Sequence, residues 1–175
     1  KAIMEAESLT AKRTAATSAL ASSFLSKQNS SSLLMIGTGA LSINLIKAHV
    51  AVRPIKQVFV WGRNFKKAES ICTALKNEPF EAQPIAHLHD KISEVDIISC
   101  ATLSPTPLVL GKYIQQDQHI NLVGSYKIYM READNETITK SRVFIDTPGA
   151  LKSTGDILIP IQEGVLKEND IQADL

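Results

Sequence analysis

Only two cysteines occur among the 175 residues, and no stretch stays apolar for the about 18 residues that a membrane-crossing helix requires. Cys72 falls in a helical pattern and Cys100 in a strand pattern, which makes both ordinary buried thiols and neither a nucleophile. The first residues lack the charged-then-apolar layout of a signal peptide, so the cytoplasm is the default location. Excess charge is missing as well. Lys and Arg number 19 against 18 Asp and Glu, a formal net charge of +1, and the cations are scattered among acids. Such a surface offers no field to hold nucleic acid or an anionic membrane. A metal site is short of ligands: His87-x-His89-Asp90 has the composition of one, but no third ligand stands at a telling distance, and solvated histidines are expected. His49 reads as surface or core filler, and His119, alternating with Ile120 and Leu122, as a residue facing water at a strand start. Low-complexity tracts and internal repeats are absent. At 44% hydrophobic and 21% charged residues, the chain suffices for one packed core.

What is present begins with Gly37-Thr38-Gly39-Ala40-Leu41-Ser42, between the apolar run Leu33 to Ile36 and a helical stretch from Ile43 to Val52. Two close glycines where a strand becomes a helix suit a dinucleotide pyrophosphate. A side chain at the first would obstruct the turn, and one at the second would hold the phosphates off the backbone. The N–H groups and the positive helix end then bind the anion. Ser42 occupies the place where a third glycine or alanine is usual. Lys56 to Trp61 reads as the next strand, with Val58 and Val60 on one side and Phe59 and Trp61 on the other, completing a βαβ unit.

That strand ends Trp61-Gly62-Arg63-Asn64, with no carboxylate where NAD-binding folds place one for the ribose hydroxyls. Arg63 offers a permanently charged fork suited to a 2′-phosphate, so NADP(H) is expected ahead of NAD(H), which stays possible. The plain reading of Arg63 is a surface charge beside Lys66 and Lys67.

Along the rest of the chain, residues 2–26 read as one helix, with Leu9, Ala16, Leu20 and Phe24 at helical spacing, followed by a polar run over 26–32. Further helices are expected over 66–76 and 132–140, and strands over 80–85, 94–100, 119–123 and 142–146. Six or so strands alternating with helices predict an α/β fold: a doubly wound, mostly parallel, Rossmann-type sheet flanked by helices. Ligands then belong at the carboxyl ends of the strands, which are residues 37–41, 62–64, 101–103, 123–126 and 146–147. Asp146 either reaches the pocket or caps residues 148–152.

Several motifs together resemble the ornithine cyclodeaminase and μ-crystallin family. They are Leu9-Thr10-Ala11-Lys12-Arg13-Thr14-Ala15-Ala16, Gly37-Thr38-Gly39-Ala40, Trp61-Gly62-Arg63, His119 to Gly124, Arg131-Glu132, and Ala150-Leu151-Lys152 with Gly155-Asp156. The resemblance implies that residues 1–175 are one dinucleotide-binding domain, with 1–30 a leading helix and linker. A second domain from both ends of a longer polypeptide would supply homodimerisation and part of the substrate pocket. The chain then looks like an excised portion of a longer protein.

By the same resemblance, Arg13 pairs with the carboxylate of an amino or imino acid substrate, and Thr14 sits near the cofactor phosphates. Gly37, Thr38, Gly39, Ala40, Leu41, Trp61, Gly62, Arg63, Asn64, Ala101, Thr102, Val123 and Gly124 would border the cofactor. Without it, Arg13 reads as a charge on an exposed helix face, and Thr102 equally as a loop-capping hydroxyl. Leu41 replaces a glutamine common after Gly-x-Gly-Ala, so only the backbone cradle survives there. Cyclodeaminases carry a Gly-Gly-Asp-Cys-Pro-like segment where this chain reads Val123-Gly124-Ser125-Tyr126-Lys127. Tyr126 thus replaces the acid–base aspartate, and a phenol of pKa about 10 cannot do the work of a carboxylate of about 4 without a changed mechanism. The wording is closer to the family's reductases of Δ1-pyrroline-2-carboxylate and related ketimines, which implies hydride transfer from NADPH to a cyclic C=N, giving L-proline or a homologue. Tyr126 is the positional candidate for the proton donor, or packs on a neighbour. The alternatives are ornithine cyclodeamination and a non-catalytic NADPH and small-ligand binder like μ-crystallin.

Overall fold

The computed structural model describes residues 6–175. The first elements are α1 (Glu7–Leu25), β1 (Ser32–Ile36), α2 (Ser42–Val52), β2 (Gln57–Trp61), α3 (Phe65–Ala74), β3 (Glu81–Pro84) and α4 (His89–Ile92). Then come β4 (Ile97–Cys100), β5 (His119–Leu122), α5 (Asn135–Lys140), α6 (Ala150–Ser153) and α7 (Gly155–Gln162). The strands form one parallel sheet in the order β3-β2-β1-β4-β5. Chain order therefore reverses between β1 and β4, and a crevice opens outside their carboxyl ends, where doubly wound folds bind ligands.

Central β1, Ser32-Leu33-Leu34-Met35-Ile36, is buried on both faces, as a parallel strand between two helical layers must be. Leu33 and Met35 pack toward Leu45, Ile46 and Ile71 of α2 and α3, together with Val58 and Val60. Leu34 and Ile36 pack on the opposite side with Phe59, Leu88, Ile92 and Ile138, and Trp61 borders that layer. The expected two-sidedness of β2 is thus realised.

Four expectations are corrected. The sheet has five strands, because residues 142–146 contribute only an isolated bridge, Ile145 to Asp174. The helix expected from residue 132 starts at Asn135. Asp134 is its N-cap, accepting from the Thr137 amide at 2.8 Å, which leaves Glu132 outside the helix. Residues 2–5 of the first helix lie outside the described residues, and within α1 the inward face is Ala15, Ser18, Ala19 and Ser22. Leu9, Ala16, Leu20 and Phe24 face outward instead. Small side chains let α1 approach α2 closely; bulky ones there would push it away. His119 is buried, not facing water.

Beneath α1 lies a polar cluster. Ser22 Oγ pairs with Nδ1 of the buried His49 at 3.0 Å. Arg53 Nη2 donates to the carbonyls of Ser22, Ser23 and Ser26 at 2.8–2.9 Å, capping the C-terminus of α1 with positive charge.

Candidate dinucleotide site

The turn after β1 is built on two glycines with different duties. Gly37 has φ +122°, and a Cβ there would stand 2.4 Å from the Ala101 carbonyl oxygen, so β1 and β4 can end side by side only if residue 37 is glycine. Its amide donates to the Trp61 carbonyl at 2.8 Å, locking the turn to β2. Gly39 is exposed, and a Cβ on it would meet no atom within 4 Å, so the chain presents bare backbone there. Among the described residues, the amides of Thr38, Gly39, Ala40 and Leu41 donate to no protein group, and they sit at the start of α2. Unengaged donors at the positive end of a helix form an anion cradle, and a diphosphate fits the chemistry of that donor set.

Ser42 fits the third position of the fingerprint by a hydrogen bond. Fully buried, it donates from Oγ to the Gly37 carbonyl at 2.9 Å and ties the helix start to the turn. Gly62 is equally constrained, since a Cβ would lie 2.5 Å from Thr38 Cγ2. Arg63 and Asn64 follow on the surface, and Arg63 forms no ion pair among the described residues. Beside them a groove lined by Trp61, His87, Leu88, Pro107 and Leu108 opens next to the end of β2.

Arg13 and Thr14 come to this edge through the pairing of two helices. The C-termini of α1 and α2 lie together, since Ser22 meets His49 and Arg53 caps α1, so the helices run in the same direction. At about 1.5 Å per residue, the seven residues from His49 back to Ser42 bring α2 level with Ala15 of α1. Thr14, half-buried, and Arg13, exposed, therefore stand on the order of one helical turn from the height of the glycine turn.

Across the crevice, the β4 and β5 ends hold Ala101, Thr102, Val123 and Gly124. The last rung between them is the Val123 amide to the Cys100 carbonyl at 2.8 Å, beyond which the backbones part. Glu132, with no exposed surface, fills the gap. Its Oε1 accepts from the Thr102 amide at 2.6 Å, Thr102 Oγ1 at 2.8 Å and Cys100 Sγ at 3.1 Å. Oε2 accepts from the amides of Gly124 at 2.7 Å and Val123 at 3.1 Å. Burial pushes this carboxyl above the usual range, against hydrogen bonds that favour its ionised form. The Thr102 hydroxyl is thus the loop-capping one. A Cβ at Gly124 would stand 1.9 Å from the Thr102 carbonyl oxygen. Buried Asp156 in turn accepts from the Glu132 and Ala133 amides at 2.9 and 3.0 Å.

Glu132 and Asp156 stand in the family-like motifs, yet sequence patterning assigns them no place at the site, Glu132 because it is expected to begin a helix. The available signal was Asp134, whose N-cap role removes Glu132 from the helix. Tyr126, at 58% exposure, has its phenol at the open edge, with Lys127 Nζ 5.7 Å from its ring centroid. Asp146 is exposed and makes no side-chain hydrogen bond among the described residues. His87 is exposed, and exposed His89 stacks on Tyr113 at 4.5 Å; no group of three metal-ligating side chains exists among the described residues. Nor is any described helix long and apolar enough to cross a membrane. Cys72 and Cys100 are buried free thiols, as expected.

Residues 1–175 match the sequence profile of the Ornithine cyclodeaminase/mu-crystallin family. An uncharacterized protein of Schizosaccharomyces pombe is 45% identical over 98% of this chain and 54% of its own length. A Delta(1)-pyrroline-2-carboxylate reductase of Colwellia psychrerythraea is 38% identical, over 99% of this chain and 56% of its own. The Thermococcus litoralis Delta(1)-pyrroline-2-carboxylate reductase, solved with NADH and L-proline, superposes with a TM-score of 0.94 at 34% identity, covering 98% of this chain and 54% of that one. The chain thus spans about half the length of the curated relatives it matches. With a profile match across its whole length and relatives at 38 and 45% identity, this chain belongs to the ornithine cyclodeaminase/μ-crystallin family.

Proposed function

We propose that the protein is an NAD(P)H-dependent reductase acting on the C=N bond of a cyclic imino acid such as Δ1-pyrroline-2-carboxylate. The observation that carries the reading is the row of amides at Thr38 to Leu41, unengaged among the described residues, at the start of α2 where β1 ends. Relatives named for this reductase activity, one of them solved with NADH and L-proline, support the choice of substrate.

A bound nicotinamide supplies the hydride for the imine carbon. The chain's own residues then bind and orient. The amides of residues 38–41 hold the diphosphate, with Thr14 alongside. Arg63 meets a ribose 2′-phosphate through its guanidinium fork, favouring NADP(H) while leaving NAD(H) accommodated. Trp61, Gly62 and Asn64 border the adenosine end, where the adjoining groove takes a planar base. Ala101, Thr102, Val123 and Gly124 border the other end. Arg13 grips the substrate carboxylate and fixes the imine carbon in position, which converts binding energy into rate. Tyr126 donates the proton to nitrogen. The described residues are the dinucleotide-binding domain of a homodimer whose second domain completes the substrate pocket.

The test is to incubate the full-length protein with Δ1-pyrroline-2-carboxylate and NADPH or NADH, following loss of nicotinamide absorbance. Turnover faster with NADPH is expected. Ammonia release from ornithine, or tight NADPH binding without turnover of any cyclic imine, would replace this reading with deamination or with a binding role.

A further inference from the structure

We propose that Glu132 is a positioning residue for hydride transfer, its buried carboxylate fixing the separation of the two strand-end loops on which the nicotinamide half of the cofactor rests. The inference rests on the dinucleotide reading above and deepens it.

The physical problem lies where β4 and β5 end. Parallel neighbours hold their spacing through ladder hydrogen bonds, and the last of these is Val123 to Cys100. Past it, the amides of Thr102 and Gly124 have no strand partner and lie against the protein interior, while the Val123 amide is shared between the Cys100 carbonyl and Glu132. Buried amides left unpaired are costly, and loops carrying them would rearrange. An ionised carboxylate is suited to the gap because it only accepts, through two oxygens about 2.2 Å apart that can face opposite ways. One oxygen serves the β4 side and the other the β5 side. The single group thus acts as a rung of fixed width beyond the end of the sheet.

Two further contacts show that the width is set and not merely tolerated. Gly124 lies so near Thr102 that an added Cβ would stand 2.5 Å from Glu132 Oε1 as well as 1.9 Å from the Thr102 carbonyl oxygen, so the loops are held at their closest approach. Glu132 has no backbone freedom either, because Asp156 Oδ1 accepts both its amide and that of Ala133. Asp156 opens α7 and lies beside Gly155, which passes so close to the Met130 carbonyl oxygen that a Cβ would come within 2.0 Å. The chain of restraint runs from α7 through Asp156 to Glu132 and on to Thr102 and Gly124. Glu132 is sealed from solvent, so it touches neither substrate nor cofactor and acts only through the loops.

Glu132→Gln in the full-length protein is the test. The replacement keeps the volume, yet its NH2 must point at donors whichever way the amide turns, toward Thr102 and Cys100 or toward Val123 and Gly124. The expected result is a native near-UV circular dichroism spectrum, an NADPH Kd raised about tenfold by fluorescence titration, and a kcat lowered at least as much. KM for the imino acid stays within twofold, because Arg13 lies on α1, outside this network. Asp156→Ala, which leaves the Glu132 carboxylate and its five donors in place, raises Kd and lowers kcat by about threefold each, and it carries the test if Glu132→Gln does not fold. Variants that melt at lower temperature but keep wild-type Kd and kcat overturn the proposal and leave Glu132 as scaffold. Because the Kd measurement needs no imino acid, a wild-type protein that fails to turn over Δ1-pyrroline-2-carboxylate sinks the proposed function without touching this arm.

Discussion

At the residue scale, the two glycines of the turn separate folding from binding. Gly39→Ala adds a methyl to open space at a backbone angle any residue accepts, so thermal stability should hold or rise slightly, by about 0.5 kcal/mol from the loss of unfolded-state freedom. The same methyl projects where a diphosphate must approach, and NADPH affinity should fall at least tenfold by fluorescence titration. Gly37→Ala does the reverse damage, since its positive φ and the Ala101 carbonyl oxygen at 2.4 Å make the methyl intolerable to the fold, and the melting temperature should drop. Equal effects of both changes on stability would refute the division of labour. Arg63→Asp tests the cofactor: the residue is exposed and forms no ion pair among the described residues, so stability should be unchanged while preference turns from NADPH toward NADH. These residues were legible in the sequence because glycine spacing and a strand-end charge are local signals. Glu132 was not, because its burial depends on donors contributed from residues 100–102 and 123–124, a relation no window of sequence contains.

Elements were legible where their periodicity is set by burial, as in β1 and β2, and misjudged where the buried face is made of small residues. Helix α1 shows this: its bulky stripe faces out, and Ala15, Ser18, Ala19 and Ser22 face α2. Polar anchoring then replaces bulk, through His49, His119 and Arg53 beneath the C-terminus of α1. Burial, with the charge of His119 a lesser cause at His49 and that of Arg53 a lesser cause at His119, lowers both to about 4. Both are therefore neutral in the folded protein and titrate near 6.5 when unfolded. The unfolded chain binds more protons between those values, so this stability is complete above about pH 6.5 and is lost as pH falls toward 4. A shift of that size corresponds to about 3 kcal/mol per histidine. Urea midpoints measured from pH 7 to pH 4.5 should fall steeply, and His119→Phe should flatten the profile. A flat wild-type profile would show that the cluster admits protons without strain.

For the whole molecule, the sheet has two edges with opposite roles. A doubly wound parallel sheet was foreseeable from alternating helices and strands, while the order of its strands was not stated by that pattern. What could not be foreseen is how firmly the amino edge is tied. Asp96 Oδ2 accepts from the amides of Ser31 at 2.7 Å and Ser32 at 3.0 Å and from Ser32 Oγ at 2.9 Å, stapling the start of β1 to the approach of β4. Partial burial raises this carboxyl, but the bonds from Ser31 and Ser32 outweigh it and hold it below the usual range. The stabilisation is present at neutral pH and is lost only as acid reaches that depressed value. At the carboxyl edge, by contrast, the amides of residues 38–41 are unengaged among the described residues and face a ligand. Asp96→Ala should therefore lower unfolding free energy by about 2 kcal/mol, from hydrogen bonds lost at the far end of the sheet, with an unchanged urea m-value. NADPH Kd, measured well below the melting transition, should stay within twofold of wild type. A large loss of affinity would mean that strain at the amino edge passes along β1 to the glycine turn, and that the two edges are one coupled unit.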